Sequence, residues 1–286
     1  MDKKKRIILY FLLVFIFTLI NFYFRPVEGN KLVDKKSDTY INNLYHSDEY
    51  FKNKILDNDS KELYDKIIKD TLKGKNISNY PCNLNDCFNR LNDINKCIYL
   101  DHPELLSYYL MHWEGNISSV KYSIDTMDAP RYFFAKRRIE RELDNIKKDT
   151  KNMTDKEKII FVYDYVSNHN YDKLFTYMGS NQSIYSFFTG GESVCAGFAK
   201  SSQIIFQNVG IESYLVLGSS HMWNYVKYKD KYYVYDATVG ASYRDKKRDN
   251  HYDGLGRTTV NVTKGDYNYL YPPIEEKHTL KDVFNL

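Results

Sequence analysis

Four cysteines in 286 residues are too few for a disulfide-dense scaffold, so the chain must be held together by a core. Charge of one sign is also scarce. The formal net charge is +4, and +3 of it sits in the first thirty residues, where Lys3, Lys4, Lys5, Arg6 and Arg25 face Asp2 and Glu28. The rest of the chain carries only +1. A body so balanced lacks the basic footprint that grips phosphate backbones, which argues against nucleic acid as a partner. No internal repeat is present. What the chain does have is 16% aromatic residues, 28 of them tyrosine, a composition opposed to disorder.

Lys3-Lys4-Lys5-Arg6 precedes an apolar run over residues 7–24, broken by little more than Thr18 and Asn21. A helix of that length rises about 27 Å, close to the hydrocarbon thickness of a bilayer. The basic flank predicts that this end stays cytoplasmic and that the remainder is exported. Residues 1–24 therefore read as a signal anchor or a signal peptide. Val27-Glu28-Gly29 weakly resembles a small-x-small cleavage site, and cleavage near Gly29 would give a secreted protein. The run exceeds the usual length of a signal-peptide core, so the anchor is favoured: a single pass through the cytoplasmic membrane by residues 7–24, with the body outside. No cysteine lies near the end of the segment, which excludes lipoprotein attachment.

Residues 25–45 are polar and aperiodic and read as a tether. Residues 46–151 read as a mainly helical N-terminal region. Ser60 ahead of Leu63, Ile67 and Leu72 predicts a helix stopped at Gly74. Asp101-His102-Pro103-Glu104 reads as a helix start, with proline in the first turn and Leu105, Leu106 and Tyr109 as its apolar stripe. Residues 117–124 alternate as a strand, and 132–148 form a charged amphipathic helix with an exposed face. The domain assigned to 152–286 opens on a capping box of Thr154 and Glu157, followed by Ile159, Val162, Tyr163 and Val166 on one buried face. After Tyr171 come a short helix over 183–188, a Gly190-Gly191 turn, and a helix from Cys195 to Val209 closed by Gly210. Three strands follow over 212–218, 221–228 and 231–236, the last two joined by Lys229-Asp230. Helices followed by a strand cluster predict an α+β fold. The charged, glycine-containing stretch 244–257 reads as a solvated loop.

Cys195 stands in the first turn of its helix, where unpaired N–H groups and the positive end of the dipole favour a thiolate. Gly190, Gly191 and Gly197 keep side chains away, so another backbone can approach the sulfur. His221 opens one strand and Asp236 ends its neighbour. A two-residue turn at 229–230 sets Trp223 opposite Asp236, with His221 diagonally adjacent on the same face. The carboxylate would hold the ring in one tautomer while the other nitrogen faces the thiol. Each residue has a plainer reading: a small buried hydrophobe, a satisfied structural histidine, a strand terminator. As a set they read as a Cys–His–Asp triad.

Val194-Cys195-Ala196-Gly197-Phe198-Ala199, Gly210-Ile211-Glu212-Ser213-Tyr214, His221-Met222-Trp223-Asn224 and Tyr233-Val234-Tyr235-Asp236-Ala237-Thr238 closely resemble the transglutaminase-like superfamily core. The match is most similar to the exported branch of Gram-positive bacteria, which also tends to show an acidic stretch like Asp101 to Glu104 and a Tyr-Asp pair like Tyr171-Asp172. The resemblance is strong over 155–238, looser over 60–151, and extends toward Tyr269, Leu270 and His278. It implies a papain-like α+β fold, a cysteine-bearing helix packed on an antiparallel sheet. It also implies thiol-based acyl chemistry, with Cys195 as nucleophile, His221 as base and Asp236 as the orienting group. A thiolate attacks an amide carbonyl, an acyl-enzyme forms, and water or an amine resolves it. Ala196, often polar in this branch, and Val239, where an aromatic is common, depart from the pattern and bear on the cleft rather than the triad. The backbone N–H of Cys195 is a natural oxyanion donor, and the Gln182 side chain a second candidate.

Cys82, Cys87 and Cys97 are spaced C-x4-C-x9-C, without the paired C-x2-C of zinc sites, and His102 is the nearest candidate for a fourth ligand. In an exported protein, one disulfide and an odd cysteine fit this spacing better than a metal. Tyr225, Tyr228, Tyr232, Tyr233 and Tyr235 admit a glycan-binding face, but strand propensity accounts for them as well. No cofactor is expected. The reading is a cell-surface acyl-transfer enzyme acting on a protein, peptide or cell-wall peptide. Its rivals are a cysteine protease or peptidoglycan-directed amidohydrolase with the same triad, and a non-catalytic membrane-tethered binding module.

Overall fold

The computed structural model describes residues 49–72, 78–81, 84–105, 112–115, 119–123, 129–172, 179–218, 220–245, 251–257 and 271–286. The apolar segment 7–24, the tether, Gly74, Cys82, Leu106 and Tyr109 lie outside the described residues. Among the described residues, no helix is long and apolar enough to cross a membrane.

The N-terminal part holds helices α1 (Tyr50–Ile55), α2 (Asn58–Leu72), α3 (Leu84–Asp101) and α4 (Ala129–Asp149). Strands β1 (Ser78–Pro81), β2 (His112–Gly115) and β3 (Ser119–Ser123) form an antiparallel sheet in the order β1-β3-β2. Leu63 and Ile67 are buried as their spacing requires. The α2 helix begins ahead of Ser60, whose N–H donates to Asp57 Oδ1 at 2.8 Å.

The Asp101-to-Glu104 stretch corrects the sequence reading: Asp101 is the last residue of α3, not the start of a helix. Its carboxylate crosses to α1, where Oδ1 and Oδ2 accept the N–H groups of Phe51 and Lys52 at 3.0 and 2.9 Å. Those N–H groups have no partner inside their own helix, and the dipole there favours an anion. The capping signal was real but served a helix fifty residues upstream. Burial pushes the Asp101 carboxyl up to about 6, against the two backbone hydrogen bonds that favour its ionised form.

In the second part, α5 (Asp155–Ser167) opens on the expected capping box, and Ile159, Val162, Tyr163 and Val166 are all buried. A 3-10 turn (Gly179–Gln182) and α6 (Ile184–Thr189) lead to α7 (Cys195–Val209), which ends at Gly210 with φ +79°. Strands β4 (Ser213–Leu217), β5 (Met222–Tyr228) and β6 (Lys231–Tyr235) form a second antiparallel sheet in sequence order. Helices α8 (Ala237–Asp245) and α9 (Leu280–Phe284) complete the described elements. Helix α7 packs against α4, α5, α6 and α8 and against β4 and β5, which explains its burial on nearly every side. The α+β architecture is as the element order predicted. One continuous apolar cluster, from Phe51 to Phe284, joins the helical part to the rest. Tyr225, Tyr233 and Tyr235 are buried within the sheet's packing.

The 244–257 stretch is a second correction. Residues up to Asp245 belong to α8, and a 3-10 turn (His251–Gly254) follows, with Gly254 and Leu255 buried. Leu255 turns into the core while Asp253 stays outward and pairs with Lys281 at 2.8 Å. High charge density announced solvent, but one face of the segment packs.

Lys200, on α7, is 3% exposed, and its Nζ lies 3.8 Å from the ring centroid of Tyr99 on α3. Wholly buried Glu104 is the charge that attracts it, and Glu104 in turn pairs with His102 Nδ1 at 2.6 Å. Burial lowers the Lys200 ammonium to about 7 in spite of Glu104. The folded state thus holds this proton less tightly than the unfolded chain. Its effect on stability grows more adverse as pH falls from the ordinary lysine value to about 7 and is constant below. Lys200→Met is expected to stabilise the protein near pH 7 by on the order of 2 kcal/mol, desolvation relief outweighing the lost cation–π contact. Thermal melts should show the gain shrinking toward pH 10. A gain that grows with pH would refute this account.

Candidate active site

Cys195 is the first residue of α7, and the residue before it, Val194, offers no side-chain cap. The early N–H groups are therefore free to face an anion. The imidazole of His221 and the backbone N–H groups of Met222 and Ala196 are the groups that favour the thiolate of Cys195. The approach to the helix is pinned because Val194 N donates to Asn181 O at 3.0 Å, while Asn181 Nδ2 donates to the buried Asp172 carboxylate at 2.8 Å. A Cβ on Gly197 would lie 2.8 Å from Asn181 O and 2.9 Å from Ser193 Cβ. The small residue is thus required by the chain at Asn181 and Ser193 packing on α7, rather than by an approach to the sulfur. Gln182 ends this same 3-10 turn.

The hairpin register pairs Tyr228 with Lys231 and Asn224 with Tyr235, so the next step brings Trp223 opposite Asp236. His221 precedes β5 and Asp236 follows β6. Their side chains meet at 2.8 Å, between His221 Nε2 and Asp236 Oδ2. With Nε2 committed to the carboxylate, Nδ1 is the nitrogen left for the thiol. Asp236 is 1% exposed, and its Oδ1 accepts the N–H of Thr238 at 3.1 Å. Trp223 stacks on the imidazole with centroids 5.9 Å apart and planes 19° from parallel. Ring, carboxylate and sulfur are therefore held from both strands and the helix.

Burial opposes charge on both partners, yet their contact prevails. His221 is pushed up to about 10 by the Asp236 hydrogen bond, then by the hydrogen bond to Cys195 and the two negative charges. Burial raises the Cys195 thiol, but the hydrogen bond and charge of His221 and the two backbone N–H groups bring it below the ordinary thiol value. A thiolate–imidazolium pair is thus favoured from the lowered thiol pKa up to about pH 10. Cys97 shows the opposite environment: fully buried and free, with burial holding its thiol far above the ordinary range. The side chains of Cys82 and Cys87 lie outside those described.

Sequence reasoning missed three supports. Asn224 Nδ2 donates to Ala199 O at 3.1 Å and to Gln203 Oε1 at 3.2 Å, tying the strand after His221 to the helix after Cys195. The motif His221-Met222-Trp223-Asn224 contained that signal. Gly254 braces Asp236 from behind, its carbonyl accepting the Asp236 N–H at 3.1 Å. The hydroxyls of Tyr99 and Tyr171, both partly buried, are raised first by burial and then by the charge of Cys195. Nothing local in sequence links Tyr99 to Cys195. Among the described residues, no group of three His, Cys, Asp or Glu side chains is placed to hold a metal ion.

Residues 144–237 match the sequence model of the transglutaminase-like superfamily, a span that includes Cys195, His221 and Asp236. That stretch carries a transglutaminase-like core, as its motifs suggested. The chain is also similar to a crystal structure of a TGase, at 14% identity and a TM-score of 0.33, covering 58% of this chain and 49% of that one. It thus spans about half the length of that structure. No curated protein matches the sequence.

Proposed function

We propose that the protein is a thiol-dependent acyl-transfer enzyme that acts on amide bonds of proteins or peptides outside the cytoplasmic membrane, tethered by residues 7–24. The observation that carries this is the 2.8 Å contact of His221 Nε2 with the Asp236 carboxylate, on an imidazole that lowers the thiol of Cys195 at the start of α7. The Cys195 thiolate attacks the amide carbon, and its S–C bond forms as the carbonyl electrons move to oxygen. The N–H of Cys195 faces that oxyanion, and Gln182 is the candidate second donor. His221 gives its proton to the leaving amine as the C–N bond breaks, leaving a thioester and neutral imidazole. Water or a primary amine then adds to the thioester, losing its proton to His221, and the thiolate departs.

The test is intact-protein mass spectrometry of the full chain with a glutamine-containing peptide library, with and without a fluorescent primary amine. An acyl adduct on Cys195 that disappears on adding the amine, with the amine joined to peptide, supports acyl transfer. Hydrolysed peptide without amine incorporation supports the peptidase or amidohydrolase reading. Adducts that persist in Cys195→Ala would sink both.

A further inference from the structure

We propose that Tyr163 and Asp164, consecutive residues of α5, are positioning residues for the triad: they clamp the turn at His251–Gly254 and through it set the carboxylate that holds His221. The inference rests on the reading of Cys195 as nucleophile and adds two residues outside the triad on which its base depends.

The clamp grips the turn from two sides. Inside, the Tyr163 hydroxyl donates to His251 O at 2.9 Å and accepts the Gly254 N–H at 3.2 Å. On the partly exposed side, Asp164 Oδ1 meets His251 Nε2 at 2.8 Å, and Asp164 Oδ2 accepts the Tyr252 hydroxyl at 3.3 Å. His251, Tyr252 and Gly254 are thus all bonded to two neighbouring residues of one helix. Gly254 then reaches the triad, its carbonyl accepting the Asp236 N–H at 3.1 Å.

The Tyr163 phenol also meets the chain on both sides of Asp236. Its ring packs edge-on against Tyr235, the residue before Asp236, with centroids 5.5 Å apart and planes at 86°. On α8, which begins at the residue after Asp236, Gly240 comes so close that a Cβ there would lie 2.8 Å from the Tyr163 hydroxyl oxygen. Strand end, helix start and turn therefore converge on a single oxygen, carried by a wholly buried residue. Without it, the buried Gly254 N–H and the His251 carbonyl lose their partner together, a cost that favours a shift of the turn.

Such a shift matters because the Asp236 carboxylate is committed at both oxygens, Oδ2 to His221 Nε2 at 2.8 Å and Oδ1 to the Thr238 N–H at 3.1 Å. Hydrogen bonds weaken steeply when misaligned. Burial lowers His221, and the bond to Asp236 is the largest influence opposing it, so a loosened carboxylate lets the imidazolium lose its proton at lower pH.

The experiment follows the His221 imidazole of the full chain by nitrogen NMR of histidine-labelled protein, its signal assigned by its loss in His221→Ala. The reference is the wild-type midpoint of about 10. Tyr163→Phe keeps the ring and removes the oxygen; it should lower that midpoint by about one unit, a roughly tenfold weaker hold on the proton. Asp164→Asn, on the partly exposed side, should lower it by roughly half as much, and it stands in if the buried substitution unfolds the chain. Made in an Asp236→Asn background, either substitution should move the already lowered midpoint by less than about 0.2 unit, because both act only through that carboxylate. A His221 midpoint that stays at the wild-type value in both variants, whatever their melting temperatures, overturns the proposal. So does a drop of equal size with and without the Asp236 carboxylate. The nucleophile reading is judged separately: sluggish iodoacetamide labelling of wild-type Cys195 at pH 6 defeats it, before any variant of α5 is made.

Discussion

Replacing His221 with alanine is expected to slow iodoacetamide alkylation of Cys195 at pH 6 by about tenfold or more. The imidazolium is the largest influence lowering this thiol, and burial then stands opposed only by the N–H groups of Ala196 and Met222. The thiol should return toward or above its ordinary value, so few molecules carry a thiolate at pH 6. A more basic thiolate is intrinsically more nucleophilic, which recovers part of the loss and keeps the expectation near one order of magnitude. The gap closes as pH rises. The ion pair persists in the wild type from the lowered thiol pKa to about 10, so the two proteins should converge as alkaline conditions ionise the variant's thiol. Asp236→Asn should change alkylation less and turnover more, since it leaves the ring in place but removes the acceptor that fixes its tautomer. Cys97 in the same molecule should stay unreacted throughout, buried with its thiol raised. Rates of wild type and His221→Ala that coincide at pH 6 would mean that the ring does not govern this sulfur.

Much of the site was legible because its members lie at the ends of regular elements with strong local signals. The helix Cys195–Val209 was bounded by a glycine turn and Gly210. The two-residue turn at Lys229-Asp230 fixed a register that set His221 and Asp236 on one face, and the 2.8 Å contact follows from that register. What stayed hidden depends on contacts between distant segments. Asp101 carries the composition of a helix start, yet it caps a helix whose first residue is Tyr50. Lys200 is buried over Tyr99, a residue of a helix about a hundred positions earlier, which no local pattern announces. In the 244–257 stretch the charged residues outnumber the two that matter most for packing, Gly254 and Leu255. Composition weighs every residue equally, while a core is decided by the few that turn inward.

Gly254 gives the most severe test of that hidden support. A Cβ there would fall deep inside van der Waals contact with the Asp236 carbonyl oxygen and 2.5 Å from Tyr163 Oη. Neither neighbour can yield cheaply. The Asp236 carbonyl is backbone, and the Asp236 N–H is already bonded to the Gly254 carbonyl. The Tyr163 hydroxyl accepts the Gly254 N–H at 3.2 Å and donates to His251 O at 2.9 Å, while its ring packs edge-on to Tyr235, with centroids 5.5 Å apart. Gly254→Ala must therefore shift the chain at Asp236 and draw its carboxylate from His221. The expected cost is about 3 kcal/mol or more, the upper range for overpacking, with Cys195 alkylation at pH 6 falling toward the His221→Ala rate. Gly256→Ala is the matched control two residues away. Its Cβ would first meet Lys281 Cδ at 3.3 Å, part of a flexible side chain that can move aside. That variant should melt and alkylate like the wild type. If Gly254→Ala does so as well, the 3-10 turn at His251–Gly254 does not hold Asp236, and its position must come from the sheet alone.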